Sequence, residues 1–186
     1  RLVRPLALLA IAALAVPGTA LATSDWTSVG STGIVDDTCY LAIQMDFPEA
    51  RLMPGLLFPC KVRYQVTDTF GTGNGKVRVA LSAHIRDNNP LAERVEVRLF
   101  AYPKAGLPVL PPTALLTINS DTTTSVAVAG SFRAYTIPAI PPLTCPGTGA
   151  SLDFTLNSYW IEVDLIPGLL PSLTPPAVRM INLIQC

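Results

Sequence analysis

The sequence is poor in side chains that carry acid–base and nucleophilic catalysis. It has one histidine, His84, and no Gly-x-Ser-x-Gly, P-loop or dinucleotide-binding motif. A Ser-His-Asp or Cys-His site needs a base beside its nucleophile. Ser82 is two residues from His84 on one predicted strand, which places the two side chains roughly 7 Å apart. We therefore expect no catalytic residues and no cofactor.

Charged residues are also scarce, at 14% of the sequence, and the 13 basic and 13 acidic residues balance. Such a chain has no basic excess to attract nucleic acid, so we expect no nucleic-acid partner. No cysteine pair has the Cys-x-x-Cys spacing of zinc sites. The oxygen-rich segment 87–89 lacks the EF-hand register, and we interpret it as a turn. We therefore expect no metal site.

The longest apolar run is short and lies at residues 6–16. Arg1 and Arg4 precede it, and Ala20-Leu21-Ala22 supplies small residues where a signal peptidase cleaves. The run has 11 residues, whereas a membrane-spanning helix needs roughly 20. We predict that 1–22 is a signal peptide and that the mature protein is secreted, to the extracellular space or the periplasm. No membrane span is expected after cleavage.

Four cysteines follow the predicted signal: Cys39, Cys60, Cys145 and Cys186. An even number in an exported chain indicates two disulfides. Cys39 opens the first strong predicted strand and Cys186 ends the last. If those two strands are antiparallel neighbours, the first residue of one lies beside the last residue of the other. This arrangement favours Cys39–Cys186 with Cys60–Cys145. The alternative is the sequence-local pairing, Cys39–Cys60 with Cys145–Cys186.

Two-residue alternation of apolar and polar side chains is strongest over 62–66, 77–85 and 95–101. Glycine, asparagine and proline between these segments indicate turns. We predict a three-stranded meander with one buried and one wet face. The predicted inner residues of its last two strands are Val79, Leu81, Val95, Val97 and Leu99. Arg98 falls on the wet face, where a reversed charge is expected to be mild.

Further strands and the fold class follow from the same pattern. Proline lacks the donor for a strand ladder, so the proline-rich segments 103–112, 138–149 and 167–176 are predicted loops. We predict an all-β, immunoglobulin-like sandwich of two antiparallel sheets over 34–186, preceded by an N-terminal extension at 23–33. The additional predicted strands are 39–45, 113–119, 124–129, 132–137, 151–156, 159–166 and 177–185.

Short segments resemble small secreted bacterial β-sandwich proteins of immunoglobulin type. They are 63–68 (Arg-Tyr-Gln-Val-Thr-Asp), 157–163 (Asn-Ser-Tyr-Trp-Ile-Glu-Val) and the terminal Cys186. Tyr159 stands where such domains carry a corner tyrosine. The Cys…Trp…Cys spacing of antibody domains is absent. The resemblance implies a fold and no established activity, so no functional residue is carried over.

Two hypotheses for the function come from different classes of protein. We predict a non-enzymatic structural or interaction module of the cell envelope or extracellular space, acting by binding or assembly. The alternative is a secreted hydrolase acting on glycan, because Glu162 and Asp164 share a predicted strand face with Trp160. Asp36 and Asp37 are a second carboxylate pair. We interpret the pair Glu162 and Asp164 as part of an ordinary wet strand face.

The predicted partners are proteins, including further copies of this chain. The segments 115–119 and 124–129 contain neither charge nor proline. Charged side chains and proline usually prevent an edge strand from pairing with another chain. If either segment lies at an edge, it offers a site for a protein partner or for self-association by strand addition.

Overall fold

The computed structural model describes residues 25–71, 76–88, 93–105, 112, 114–138, 149–168 and 174–186. The predicted signal peptide and Cys145 lie outside these ranges. Two short 3₁₀ helices, Gly30–Thr32 and Asp37–Cys39, interrupt the strands. No helix within the described ranges has the length and apolar character needed to cross a membrane.

Strands make up most of the described chain. They are β1 (Trp26–Val29), β2 (Ile34–Val35), β3 (Ile43–Asp46), β4 (Glu49–Leu52), β5 (Cys60–Val66), β6 (Lys76–Arg86), β7 (Arg94–Pro103), β8 (Ala114–Asn119), β9 (Ser125–Ala127), β10 (Arg133–Ile137), β11 (Ala150–Asp153), β12 (Asn157–Ile166) and β13 (Ala177–Gln185).

The strands form two antiparallel sheets, which confirms the predicted β-sandwich. The larger sheet has the order β3-β4-β13-β6-β10-β9, with β1 beside β13 and β11 beside β6. The smaller sheet has five strands in the order β2-β5-β12-β7-β8. Their inner faces enclose one hydrophobic core. The core therefore lies between β12 and β7 on one side and β6 and β13 on the other.

The predicted inner residues form the centre of this core. Successive side chains of a strand point to opposite faces, so the alternation decides which of them are inside. The prediction of these residues is confirmed, because each of the five is 0% exposed. They are Val79, Leu81, Val95, Val97 and Leu99.

The predicted meander is wrong. β5 and β7 belong to the five-stranded sheet, but β6 lies in the other sheet, and β12 lies between β5 and β7. Alternation fixes which face of a strand is buried but carries no information about which sheet the strand joins. The connections from β5 to β6 and from β6 to β7 therefore cross between the sheets.

The first predicted strand, 39–45, is also partly wrong. Only Ile43–Asp46 is extended, and Cys39 ends a 3₁₀ helix. Asp36 caps that helix, because its carboxylate accepts a hydrogen bond from the Thr38 amide at 3.4 Å.

The residues predicted as an extension, 23–33, contain β1, which pairs with β13. The larger sheet therefore begins before residue 34.

The disulfide pattern differs from the favoured prediction. Cys39 is bonded to Cys60, with their Cα atoms 5.5 Å apart, so Cys39–Cys186 and Cys60–Cys145 are both wrong. The physical reason is the position of the 3₁₀ helix that Cys39 ends. The Asp36 amide, just before this helix, donates to the Lys61 carbonyl at 3.1 Å and so holds the helix beside the start of β5, where Cys60 lies. Cys186 is disulfide-bonded as well. The pair Cys145–Cys186 stays a prediction.

Removing the Cys39–Cys60 bond is expected to destabilise the domain without changing its fold. The bond closes a loop with a sequence separation of 21 residues, and closing a loop of this length stabilises a protein by about 3 kcal/mol, mainly through the unfolded chain. We expect the Cys39→Ala/Cys60→Ala variant to lose about that much in urea unfolding. An unfolding midpoint equal to that of the natural protein would contradict this expectation.

The predicted corner tyrosine has the expected contacts. Tyr159 begins the buried face of β12 and is 1% exposed. Its hydroxyl oxygen accepts from the Asp153 amide at 2.6 Å, and its hydroxyl lies 3.3 Å from the Asp153 carbonyl. This link to backbone six residues upstream is the arrangement of a tyrosine corner. It fixes the turn between β11 and β12 and so the start of β12.

The two uncharged segments do lie at sheet edges, because β8 and β9 end their sheets. Their geometry nevertheless limits strand addition. The register between β7 and β8 shifts at Leu115, and the Asn119 amide donates to the Thr123 hydroxyl at 3.1 Å. β9 has only 3 residues. Bulges and short strands protect sheet edges against strand addition. Self-association through β8 or β9 therefore stays a prediction, and the bulge and the shortness of β9 weaken it.

Candidate functional site

The outer face of the five-stranded sheet carries two different rows of side chains. In one row, Trp160 on β12 lies opposite Phe100 on β7 and Gln65 on β5. In the next row, two residues along, Glu162 lies opposite Arg98 and Arg63. Residues two apart on a strand share a face and are roughly 7 Å apart. An aromatic row therefore adjoins a charged row.

A shallow concavity of about 420 Å³ lies where the two rows meet. We call it the aromatic concavity, and it is lined by Arg63, Phe100, Tyr102, Trp160 and Glu162. Tyr102 is 37% exposed, and the Trp160 and Phe100 side chains are half-buried. Ring surface is therefore available to a ligand on a rigid sheet rather than on a loop.

The charged row forms a connected ion-pair network. The Glu162 carboxylate forms ion pairs with Lys61 Nζ at 2.8 Å, Arg98 Nη2 at 3.0 Å and Arg63 Nε at 3.2 Å. Arg98 also pairs with Asp164, and Lys61 Nζ lies 3.3 Å from the same carboxylate. The Arg98 guanidinium in addition stacks on the Phe100 ring, 5.6 Å from its centroid. The network therefore fixes the positions of both carboxylates and, through Arg98, of the Phe100 ring that lines the aromatic concavity.

The two carboxylates of this network have opposite pKa shifts. Burial raises the pKa of Asp164, and the attraction of Arg98 and Lys61 does not fully offset that effect. Burial acts in the same direction on Glu162, but hydrogen bonds and charges from Lys61, Arg63 and Arg98 outweigh it and lower the Glu162 pKa. Glu162 is therefore ionised at neutral pH and is bound by cations.

Only one of the two predicted carboxylates, Glu162, lines the described aromatic concavity. Such enzymes need two carboxyl groups on either side of the scissile bond, one of them a proton donor. Within the described residues, Glu162 is the only carboxylate that lines the aromatic concavity. Its lowered pKa and its three cationic partners leave it unsuited to donate a proton. Asp164 is 7% exposed and lies one row further from the rings.

The other candidate residues do not line the aromatic concavity and have structural contacts. Burial lowers the pKa of His84, and the charge of Arg179 lowers it further. Asp36 caps a 3₁₀ helix and lies 3.4 Å from Arg63. Asp87 accepts a hydrogen bond from the Ser120 hydroxyl at 2.6 Å. Across the described ranges, no three His, Cys, Asp or Glu side chains are grouped as metal ligands.

Sequence reasoning found half of this site. Alternation along β12 placed Trp160, Glu162 and Asp164 on one face, and the structure brings them together there. It did not find Phe100 and Tyr102, which come from β7. Alternation with Leu99 and Ala101 placed Phe100 on the outer face of its strand, but the pairing of β7 with β12 depends on strand order, which alternation does not predict.

Comparisons with known proteins give only distant likenesses. No protein-family model and no curated protein sequence matches the chain. Among solved structures, it is similar to a low-affinity xylan-binding module from the gut symbiont Roseburia intestinalis. The TM-score is 0.42 and the identity 11%, over 88% of this chain and 96% of that one.

A second similar structure is a carbohydrate-binding module studied for specific mannan recognition. The TM-score is 0.37 and the identity 12%, over 87% of this chain and 86% of that one. Likenesses at this level carry no argument about a ligand. The function of this chain is therefore argued from its own residues.

Proposed function

We propose that this protein is an exported binding domain that takes a glycan on the outer face of its five-stranded sheet. The observation that carries the proposal is the aromatic concavity, in which Trp160, Phe100 and Tyr102 stand beside the ionised Glu162 and Arg63. Sugar rings have apolar C–H faces and polar hydroxyl edges. Exposed ring surface beside fixed donors and acceptors matches both.

The ion pairs beside the rings support binding rather than chemistry. Arg63 and Glu162 are held by charged neighbours, so they present hydrogen-bonding groups in fixed positions. A fixed group loses little conformational freedom when a ligand binds. The same partners leave Glu162 unsuited to proton transfer, which weakens the alternative of a glycan hydrolase.

Export is part of the proposal. Disulfides such as Cys39–Cys60 persist in oxidising compartments, and the first residues have the order of a secretory signal. We propose that the mature domain acts outside the cytoplasm, in the extracellular space or at the cell envelope, where glycan polymers are accessible.

Trp160→Ala is expected to reduce glycan affinity about 30-fold or more, because a central tryptophan in a binding site typically contributes roughly 2 kcal/mol or more. Phe47→Ala is the matched control, since Phe47 is 84% exposed on a different part of the surface and should leave affinity unchanged. Affinity electrophoresis through gels that contain soluble polysaccharides would measure both variants.

Two results would overturn the proposed function. One is the absence of binding by the natural protein across a panel of glucose-, mannose- and xylose-based polysaccharides. The other is release of reducing ends from such a polysaccharide that is abolished by Glu162→Gln. That second result would establish the hydrolase instead.

A further inference from the structure

The aromatic concavity does not stand alone on this surface. A second concavity of about 380 Å³ lies between β1, β2 and β5, and it shares Arg63 with the first. A third, also about 380 Å³, lies where β5 ends and β12 begins. It shares Gln65 and Thr67 with the second. Each is of a size that holds a small ligand.

Strand pairing also brings the third concavity against the first. Ser158 lines the third concavity and is the register partner of Tyr102, which lines the first. Gln65 lines the second and third and is the register partner of Trp160. The three concavities therefore meet around the Gln65 end of β5, which is more surface than one sugar ring covers.

The Gln65 side chain has hydrogen-bonding capacity that the fold does not use. It is exposed, and among the described residues it has no side-chain hydrogen bond, in contrast to Gln44, which holds Arg51 at 2.9 Å. A glutamine amide offers two donors and an acceptor with two lone pairs. Such a group matches hydroxyls, which also both donate and accept.

The charges that line these concavities are balanced. Arg63 lies 3.2 Å from Glu162 and 3.4 Å from Asp36. In the third concavity Lys104 and Asp68 carry opposite charges, and Lys104 Nζ donates to the Phe154 carbonyl at 2.6 Å. A polyanionic ligand needs cations that are not already paired. The balance therefore favours a neutral ligand.

We propose that the three concavities form one trough, with Gln65 as a specificity-determining residue at its junction, which takes an extended segment of an uncharged polysaccharide. This inference rests on the proposed function and adds the length and the charge of the ligand. Trp160 binds one sugar unit in the aromatic concavity, and Gln65 contacts units beyond it.

The experiment compares ligand lengths by isothermal titration with the full chain. The probes are disaccharides and hexasaccharides of β-1,4-linked glucose, mannose or xylose, with oligogalacturonate as the anionic probe. We expect the best neutral hexasaccharide to bind about 10-fold or more tightly than its disaccharide, and oligogalacturonate to bind more weakly than that hexasaccharide.

Variants separate the two proposals. Trp160→Ala should weaken both lengths. Gln65→Ala should weaken the hexasaccharide by roughly three- to tenfold, the range for one lost hydrogen bond. It should weaken the disaccharide less, because Gln65 does not line the aromatic concavity that holds the unit bound by Trp160. Thr122→Ala, an exposed position outside the trough, is the control. Equal affinity for both lengths, tighter binding of oligogalacturonate, or no effect of Gln65→Ala would overturn the trough. The proposed function would still stand if Trp160→Ala weakens binding as expected.

Discussion

Val97→Asp is expected to abolish folding of the sandwich. Val97 is the register partner of Val163 on β12 and of Ile118 on β8, and all three side chains are 0% exposed. An aspartate there would place an unpaired carboxylate in an apolar core, which costs several kcal/mol. Loss of the packed valine adds to that cost. Together these terms approach the whole stability of a typical domain, about 5–15 kcal/mol.

Thr117→Asp is the matched control for this prediction. Thr117 is exposed on β8, opposite Arg98, so the new carboxylate stays in water beside a cation. We expect its free energy of unfolding to change by no more than about 0.5 kcal/mol. Circular dichroism and urea unfolding would measure both variants. Similar unfolding midpoints for Val97→Asp and Thr117→Asp would show that Val97 is not in the core.

The alternation around Val97 shows what the sequence can predict. A strand's period of two is local, so Val97 and Leu99 point inward whichever sheet contains β7. The choice of sheet is not local. β6 joins β10 and β13, far away in the sequence, and β12 separates β5 from β7. Faces were therefore predicted correctly, while the meander was wrong.

Cys39 shows the same limit. The favoured disulfide depended on two long-range assumptions, a strand at 39–45 and its adjacency to β13. A local feature, the Asp36 cap, instead turns the chain into a 3₁₀ helix beside β5. The sequence-local partner Cys60 is then in reach. Asp36 is a preferred capping residue type, so this signal was present in the sequence.

β12 connects the stability of the domain to its proposed binding surface. Its inner residues, among them Ile161 and Val163, are fully buried in the core. Its outer residues, Trp160 and Glu162, line the aromatic concavity. Because β12 lies between β5 and β7, hydrogen bonds on both sides hold these outer side chains in register. A rigid central strand is a suitable support for a site that acts by fixed geometry.

The ion-pair network has a larger structural part than its position on the outer face indicates. The alternation placed Arg98 on a wet face, where a reversed charge was expected to be mild. In the structure Arg98 pairs with Glu162 and Asp164, whose side chains are only 14% and 10% exposed. A carboxylate at position 98 would stand beside two others, so that expectation no longer has a physical basis.

Arg98→Leu is therefore expected to destabilise the domain by about 3–5 kcal/mol, the cost of removing one partner from a buried ion pair. Lys61 remains close to both carboxylates, which places the expected loss toward the lower end of this range. Urea unfolding at neutral pH measures it. The aromatic concavity should also be disturbed, because Arg98 no longer stacks on Phe100.

A double-mutant cycle and a pH series test the cause of this loss. Asp164→Leu removes the carboxylate that is left buried, so Arg98→Leu/Asp164→Leu should be more stable than Arg98→Leu alone.

The Asp164 pKa is already raised by burial, and loss of Arg98 raises it further. A raised carboxylate pKa costs stability above that pKa and is relieved as the pH falls and the group is protonated. The stability difference between Arg98→Leu and the natural protein should therefore shrink from pH 7 toward pH 4. A difference that stays constant with pH, together with additive effects in the cycle, would mean that Arg98 stabilises the sheet by packing on Phe100 and not by pairing with Asp164.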